Sequence, residues 1–396
     1  MKKGILWFLS GMVCLAGCTA QAPAPEAGPP VRTPAAAEQP AEENPAEAWA
    51  KDILQSMTLE EKVGQIFFAA LRDEVFASAG VQQPVTEPVG TKDPAAQVVA
   101  QYHVGGIALF GENIVDSGQV RALNRSLQAL SDIPLLLGVD EEGGRVSRLK
   151  ALYDTPIPPA AALAQEGEGA VRRAADTIGG KLADLGFTLD FAPSADINTN
   201  PQNQVIGDRA FSPEPATAGA MVSAFVDGLH QNGIAACLKH FPGHGDTVAD
   251  THDGTAAVSH TLARLRETEF VPFAAGIAAG ADFVMAAHIK APNAAGDMPA
   301  SMNRTLLQQE LRGTLGFDGV IITDAMNMGA VINEYGSGEA AVRAVLAGAD
   351  MVLMPASLDE AYHALLEAVQ DGRVSRARLD ESVMRILRAK YQYCMN

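Results

Sequence analysis

The chain has 396 residues, of which 47% are hydrophobic and 19% are charged, and its formal net charge is −18. A chain of this kind can bury a large core, and an α/β barrel of about 250 residues or more would fit within it as one domain. The acidic balance argues against nucleic acid as a partner, because phosphate neutralisation needs clustered Lys and Arg. It also disfavours electrostatic adsorption to anionic lipid.

The N-terminus has the features of an export signal. Lys2 and Lys3 precede an apolar stretch, 5–15, that is too short to span a bilayer. The sequence Leu-Ala-Gly directly before Cys18 resembles a bacterial lipobox. We therefore expect residues 1–17 to be removed as a lipoprotein signal peptide, and Cys18 to carry the lipid that anchors the protein to the extracytoplasmic face of the membrane. A plain signal peptide cut nearby and an uncleaved anchor are the alternatives.

The next segment, 18–45, is rich in Pro, Ala and Glu and almost free of large apolar side chains. Such a segment cannot bury enough surface to offset the entropy of ordering. We interpret it as a disordered tether that holds a folded body away from the membrane. The folded body is expected to be a single domain spanning 46–396.

Helices and short β-rich runs alternate through this domain. Apolar residues at helical spacing between Trp49 and Met57 predict a first helix. Thr58, followed three residues later by Glu61, has the spacing of a capping box and predicts the start of a second helix. Further helix-length stretches include 170–185 and 213–233.

Eight β-rich runs are separated by these helical stretches, and this alternation is typical of a parallel sheet. Eight is the number of strands that closes a (β/α)8 barrel, so we predict an α/β fold of the TIM-barrel type. An open doubly wound sheet is the alternative, but no Gly-x-Gly-x-x-Gly turn follows the first run. The runs are 65–71, 106–110, 134–139, 188–192, 234–240, 282–288, 319–324 and 350–354.

Polar side chains stand where several of these runs end, and in a barrel such ends converge on one mouth. A loop with Gly243 and Gly245 follows the fifth run and leads to Asp250 and His252. Any one of the polar residues could be structural, but their presence on separate runs predicts an active site at the mouth. The residues at the run ends are Asp140, Asp196, Lys239, His240, His288 and Asp324.

Six segments together resemble glycoside hydrolase family 3, and within it the β-N-acetylglucosaminidases. They occur in the family's order and extend across 47–393. The segment KHFPGHG with a downstream Asp-x-His is the feature that separates this branch from the β-glucosidases and β-xylosidases. The segments are 57–65 (MTLEEKVGQ), 140–148 (DEEGGRVSR), 208–211 (DRAF), 239–245 (KHFPGHG), 250–252 (DTH) and 323–326 (TDAM).

Position by position, the resemblance implies that Asp324 is the nucleophile and forms a covalent glycosyl-enzyme. His252 would be the general acid and then the general base, and Asp250 would orient its imidazole. The implied substrate carries a terminal β-linked GlcNAc, as in cell-wall muropeptides or chitooligosaccharides, and no cofactor is implied. The oligomeric state is open, with a monomer expected. The terminal sugar would be bound by Asp140, Arg148, Arg209, Lys239 and His240.

The chemistry of these residue types supports the roles independently. Double displacement needs a carboxylate on one face of the sugar and a proton donor at the departing oxygen. An imidazole held by a carboxylate has a fixed tautomer, and its ordinary pKa near 6.5 suits donation followed by abstraction. Retention of configuration rests on the resemblance alone, because the spacing rule for two carboxyl groups does not apply to a His acid.

Two features depart from the family pattern or are left unassigned by it. Thr251 stands where the family commonly has Ser, which keeps the hydroxyl. The long segment 72–96, interrupted by Gly and Pro, has no assignment and is a candidate for one wall of the cleft.

Other functions stay open from the sequence. The three imidazoles of His240, His244 and His252, with nearby carboxylates, could hold a metal, although their spacing matches no compact ligand motif. The same residues could serve a phosphorylase, in which phosphate takes the sugar from Asp324. From a different class comes a catalytically inactive sugar-binding lipoprotein, against which the presence of the complete set of catalytic residue types counts.

Overall fold

The computed structural model of the protein describes residues 44–247 and 256–395. The predicted signal peptide, the tether up to residue 43, Cys18, and the predicted pair Asp250 and His252 lie outside these ranges. Within them, the structure gives no helix that is both long and apolar enough to cross a membrane.

A closed parallel barrel lies at the centre of the molecule, and each strand from β1 to β7 pairs with its neighbour in chain order. β8 pairs back onto β1, and a parallel bridge between Ile322 and Met351 joins β7 to the residues before β8. All eight predicted runs contain a strand, so the predicted (β/α)8 barrel is confirmed and the open sheet is excluded. The strands are β1 (Phe67–Ala70), β2 (Gly106–Ala108), β3 (Leu136–Val139), β4 (Leu189–Asp190), β5 (Ala235–Phe241), β6 (Phe283–Ala286), β7 (Val320–Thr323) and β8 (Val352–Leu353).

Helices surround the barrel, and their starts follow local sequence signals. Thr58 and Glu61 form the predicted capping box, with each side chain bonded to the other residue's main chain. The α-helices are Pro45–Ser56, Leu59–Gln65, Glu74–Ser78, Pro94–Tyr102, Ser117–Gln128, Ala160–Gln165, Glu168–Leu185, Pro215–His230, Leu262–Glu267, Phe270–Ala278, Pro292–Ala295, Gly329–Ile332, Ser337–Ala347, Leu358–Gln370 and Arg376–Cys394. A π-helical segment covers Thr305–Thr314. Shorter elements are the 3₁₀ turns Gly111–Asn113, Lys150–Leu152, Gly207–Arg209 and Ala300–Met302, and the paired strands Glu141–Gly143 with Val146–Ser147 and Ala256–Ala257 with Ile289–Lys290.

The strands are buried on both faces, which explains why they appear in the sequence as continuous apolar runs. Phe68 and Phe191 meet edge to face with their ring centroids 5.4 Å apart. Contacts of this kind fill the barrel with side chains, so that the interior is a packed core. Substrate-sized space is therefore expected at the mouth and not along the barrel axis.

The last helix, Arg376–Cys394, packs against the end of the barrel where the strands begin. Asp350, fully buried just before β8, accepts a hydrogen bond from Ser382 at 2.7 Å and ion pairs with Arg378 at 3.4 Å and Arg385 at 3.5 Å. Arg312 also contacts the Asp350 carboxylate. This end of the barrel is thus held by a buried network of charge that lies opposite the predicted mouth.

Candidate active site

The carboxyl ends of the strands bring the predicted polar residues to one end of the barrel. Asp140 directly follows β3 and Asp324 directly follows β7, while Lys239 and His240 lie within β5 near its end. In a barrel these strand ends surround one opening. The arrangement agrees with the prediction that the site lies at the mouth.

An irregularity in β5 accounts for the two adjacent polar residues. The pairing of β5 with β6 shifts register between Leu238 and Phe241. In a regular strand neighbouring side chains point to opposite faces, whereas a bulge redirects them. Here Lys239 bonds to Asp140 and the ring of His240 lies beside Arg209, so both consecutive side chains join the cluster at the mouth.

Lys239 is a buried cation held between carboxylates. Its ammonium lies 2.7 Å from Asp140 Oδ1 and 2.7 Å from Glu142 Oε1. Burial alone would lower the pKa of Lys239, but the charges of these carboxylates raise it above the ordinary value. Burial likewise opposes ionisation of Asp140, yet Lys239 and Arg148, at 3.3 Å from Asp140 Oδ2, keep its pKa below the ordinary value. Lys239 and Asp140 therefore each favour the charged form of the other in this buried site.

Arg209 extends this network from the turn Gly207–Arg209. Its Nε and Nη2 donate to the two carboxylate oxygens of Glu142 at 2.8 and 2.7 Å, a bidentate pair. The same Nη2 lies 3.4 Å from His240 Nε2. Burial opposes the charge of Glu142, but Arg209 and Lys239 outweigh it and hold its pKa far below the ordinary value. Glu142 thus fixes the positions of both cations.

Asp196 organises the two histidines of the loop after β5. Its Oδ2 lies 2.7 Å from His240 Nδ1, and its Oδ1 accepts from the main-chain N–H of His244 at 2.6 Å. Burial works against ionisation of Asp196, but the His240 side chain and the His244 main chain lower its pKa. Burial and the neighbouring His240 lower the pKa of His244. Asp196 orients the His240 ring through Nδ1, which leaves Nε2 directed toward Arg209.

Glycines let this loop pass close to its neighbours. A Cβ atom at Gly245 would lie 1.8 Å from the main-chain oxygen of Ile197. Gly243 has φ +123°, in the region that disfavours other residues, and a Cβ there would meet Glu269 at 3.0 Å. The backbone conformation therefore explains Gly243, and the close approach to Ile197 explains Gly245.

The Asp324 carboxylate lies at the end of β7, and its own loop holds it there. The main-chain N–H of Ala325 donates to Asp324 Oδ1 at 2.8 Å, and the Asp324 N–H donates to Ala286 at 2.8 Å. His288, another residue at a strand end, lies with Nε2 3.0 Å from the Ala325 oxygen and Nδ1 2.8 Å from the Ser301 hydroxyl. His288 therefore supports the backbone that carries Asp324.

The structure describes the residues on either side of the segment that contains the predicted catalytic pair, Asp250 and His252. On one side, Thr247 Oγ1 lies 2.7 Å from His244 Nδ1. On the other, Ala256–Ala257 pairs in parallel with Ile289–Lys290, which follows β6. Both ends are thus attached to the loops of the mouth.

The unassigned segment 72–96 lies beside the same network. It contains the helix Glu74–Ser78 and the start of Pro94–Tyr102. The guanidinium of Arg72 stacks 3.5 Å from the centroid of the Phe110 ring, and Arg148 lies 5.8 Å from that centroid. Phe110 thus has both Arg72 and Arg148, a predicted sugar-binding residue, beside its ring, and the role of the segment as one wall of the cleft stays a prediction.

Sequence reasoning understated two residues of the site. From the sequence, Glu142 has no predicted role of its own, but the structure shows that it contacts both Lys239 and Arg209. Asp196 was noted as a strand-end residue without a partner, although it binds both histidines of the loop. The only sequence signals were that Glu142 lies two positions after Asp140 and that Asp196 follows a predicted strand. Among the described residues, no three His, Cys, Asp or Glu side chains converge as a metal site would require.

Comparison with known families shows the class of protein to which this barrel belongs. The profile of the Glycosyl hydrolase family 3 N terminal domain matches residues 58–389. The chain therefore belongs to glycosyl hydrolase family 3, a family of glycoside hydrolases, as its motifs predicted.

Relatives of this chain have β-hexosaminidase names. Beta-hexosaminidase from Stenotrophomonas maltophilia (strain K279a) is 40% identical over 272 residues, covering 66% of this chain and 80% of that protein. Beta-hexosaminidase A from Pseudoalteromonas piscicida is 32% identical over 325 residues, covering 74% of this chain and 54% of that protein. A solved glycoside hydrolase family 3 beta-N-acetylglucosaminidase from Paenibacillus sp. str. FPU-7 superposes with a TM-score of 0.79 at 38% identity, covering 86% of this chain and 63% of that one. The chain spans less than two thirds of the length of the Pseudoalteromonas piscicida protein and of the Paenibacillus structure.

Proposed function

We propose that this protein is a retaining exo-β-N-acetylglucosaminidase that removes a terminal β-linked GlcNAc from muropeptides or chitooligosaccharides. The observation that carries the proposal is the charged network of Asp140, Lys239, Glu142 and Arg209 at the mouth of the barrel, on the same rim as the Asp324 carboxylate. Membership of the family and the names of the relatives support the same substrate class.

The network suits recognition of a sugar ring. Asp140 accepts hydrogen bonds, while Lys239, Arg148 and Arg209 donate them, and all are held in place by one another before substrate arrives. Preorganised donors and acceptors cost little reorganisation when a sugar displaces water from the mouth. We assign the hydroxyls and N-acetyl group of the terminal residue to these side chains together with His240.

The proposed reaction has two displacements at the anomeric carbon. An Asp324 carboxylate oxygen forms a bond to C1 while the bond from C1 to the aglycone oxygen breaks, and His252 gives its proton to that oxygen. Water then attacks C1, His252 removes the proton from this water, and the bond from C1 to Asp324 breaks. Two inversions at C1 give net retention. Asp250 would hold the second nitrogen of the His252 ring and fix its tautomer.

One assay separates the candidate reactions. The purified protein is incubated with aryl β-glycosides of GlcNAc, glucose and xylose, with and without inorganic phosphate, and the released sugar is identified. We expect free GlcNAc from the first substrate, far slower release from the others, and no dependence on phosphate. Release of GlcNAc-1-phosphate would favour a phosphorylase, and binding of GlcNAc without turnover would favour the inactive sugar-binding protein.

We also propose that the protein is an exported lipoprotein. The positively charged N-terminus, the apolar stretch 5–15 and the lipobox-like sequence before Cys18 support this localisation. The Pro-, Ala- and Glu-rich segment after Cys18, acting as a tether, would let the barrel reach cell-wall fragments beside the membrane.

A further inference from the structure

The turn that carries Arg209 is held from outside by a second arginine. Arg145 lies in the hairpin that joins Glu141–Gly143 to Val146–Ser147. The two N–H groups of its Nη2 are shared among the carbonyl oxygens of three consecutive residues before the turn, and its Nε donates to the Asp208 carboxylate at 3.1 Å. The three carbonyl distances are 2.8 Å to Gln204, 2.6 Å to Val205 and 3.0 Å to Ile206.

The same stretch of main chain is tied on its other side to the loop after β5. Asn203, almost fully buried, accepts from the Ile206 N–H at 2.9 Å and donates to the His244 oxygen at 2.8 Å. Arg209 itself donates to the Val205 oxygen at 3.2 Å. The residues 203–209 form no long helix or strand, so these side-chain bonds determine the path of the chain.

Both parts of Arg209 are thus set by one hairpin. Glu142 holds its guanidinium, and Arg145 holds the main chain from which the side chain extends. Only a guanidinium has the planar set of donors that reaches several carbonyls and a carboxylate at once. About half of the Arg145 side chain is exposed, so its contribution to global stability should be small. Its effect is local to the turn.

We propose that Arg145 is a positioning residue that fixes Arg209 and thereby sets the affinity of the site for the terminal sugar. The proposal rests on the proposed function, because Arg209 is assigned there to sugar binding. Arg145 does not itself need to touch the substrate. A turn released from Arg145 would sample several paths, and Arg209 would spend only part of its time in the binding geometry.

A double-mutant cycle tests the proposal on the full-length protein. The variants are Arg145→Ala, Arg209→Ala and the combination, with Arg121→Ala as the control. Arg121 is also a half-exposed arginine bonded to a main-chain oxygen and a carboxylate, both of Asp184, but it lies on the outer helices. The readouts are kcat and KM on an aryl β-GlcNAc glycoside and the inhibition constant of GlcNAc.

We expect Arg145→Ala to raise KM and the GlcNAc inhibition constant in parallel, by about tenfold or more, with kcat changed far less. In the Arg209→Ala background the same change should have little further effect, because its target is gone. Arg145→Lys should recover only part of the affinity. Additive effects in the cycle, an unchanged KM, or an equal loss in Arg121→Ala would overturn the proposal.

Two complications are separated by the design. If Arg145→Ala does not fold, Arg145→Lys and Asp208→Asn weaken the contacts between Arg145 and the turn to a smaller extent, and these variants complete the comparison. If the wild-type protein does not cleave the GlcNAc glycoside, the proposed function fails. The role of Arg145 is then tested with the same variants, either on whichever aryl glycoside is cleaved or by calorimetry of GlcNAc binding. Additivity in those measurements contradicts the positioning role by itself.

Discussion

The pKa values of two buried lysines of this protein shift in opposite directions because their partners differ. Lys239 lies between the carboxylates of Asp140 and Glu142, and its pKa is raised. Lys390, fully buried in the last helix, donates to the amide oxygen of Gln65 at 2.5 Å, and burial lowers its pKa to about 7. A neutral amide cannot offset the loss of hydration of an ammonium, whereas two carboxylates can.

Lys390 should make stability depend on pH. The ordinary pKa of 10.5 applies to the unfolded chain, and the folded value is about 7. Between these values the unfolded chain binds more protons, so this residue destabilises the fold progressively as pH falls from 10.5 toward 7. The penalty is complete below about pH 7 and absent above about 10.5.

The variant Lys390→Met removes this titration, and its unfolding free energy should be compared with that of the wild type from pH 6 to pH 10. We expect the variant to gain most at pH 6 and progressively less toward pH 10, after allowing a constant cost of about 1–3 kcal/mol for the Gln65 oxygen left without a partner. A difference that does not change with pH would show that Lys390 is charged in the folded protein or is reached by water.

His252 is predicted to be the acid and base of the reaction, and this role makes the leaving group matter. His252→Ala should slow cleavage of alkyl or sugar aglycones far more than that of aryl glycosides with acidic phenols, since good leaving groups need little protonation. Asp250→Ala should cause a similar but smaller loss. External azide should partly restore turnover of the activated substrate, and EDTA should have no effect. Equal losses for all leaving groups would indicate a structural His, and inactivation by EDTA would indicate a metal.

At the scale of elements, the strands could be predicted because each is a short apolar run between polar turns. The run 319–324 contains β7 (Val320–Thr323) and places Asp324 directly after it. The register shift in β5 could not be predicted, because it depends on the pairing of β5 with β6 and not on the residue types within β5. The partners of Glu142 and Asp196 also became known only from the structure, because they are distant in the sequence. In the sequence, Lys239 lies 97 positions from Glu142, and His240 lies 44 positions from Asp196.

The last helix should depend on Asp350 for its attachment to the barrel. Asp350→Asn keeps the shape but removes the carboxylate that the largely buried guanidinia of Arg312, Arg378 and Arg385 share. Removal of one partner of a buried ion network costs about 3–5 kcal/mol, so the unfolding midpoint should fall clearly. Asp318→Asn is the matched control, because Asp318 also pairs with Arg385 but is 77% exposed. It should cost less than about 1 kcal/mol. Similar losses in the two variants would contradict this assignment.

Across the whole molecule, the two ends of the barrel have separate tasks. The carboxyl ends of the strands carry the charged mouth, and the opposite end carries the Asp350 network and Lys390. This division is usual in barrels of this type. It implies that changes at the second end should alter stability with little effect on turnover at low temperature.

The N-terminal segment should affect location without affecting chemistry. Cys18→Ser should abolish lipid attachment and move the protein from the membrane fraction to the soluble fraction. A purified protein consisting of residues 46–396 should keep full activity on small aryl glycosides, since this part of the sequence includes all the proposed catalytic residues. A folded but inactive truncated protein would show that the segment 18–45 has a role in the reaction.

The most direct test of the central claim is to trap the covalent intermediate. A fluorinated GlcNAc analogue with a good leaving group, such as a 5-fluoro glycosyl fluoride, should react with the protein and accumulate as an ester, because fluorine slows the second displacement. Proteolysis and mass spectrometry then identify the labelled residue. We expect the label on Asp324, and none in Asp324→Asn. A label on Glu141, Glu142 or Asp196, or turnover with no trapped ester, would contradict Asp324 as the nucleophile.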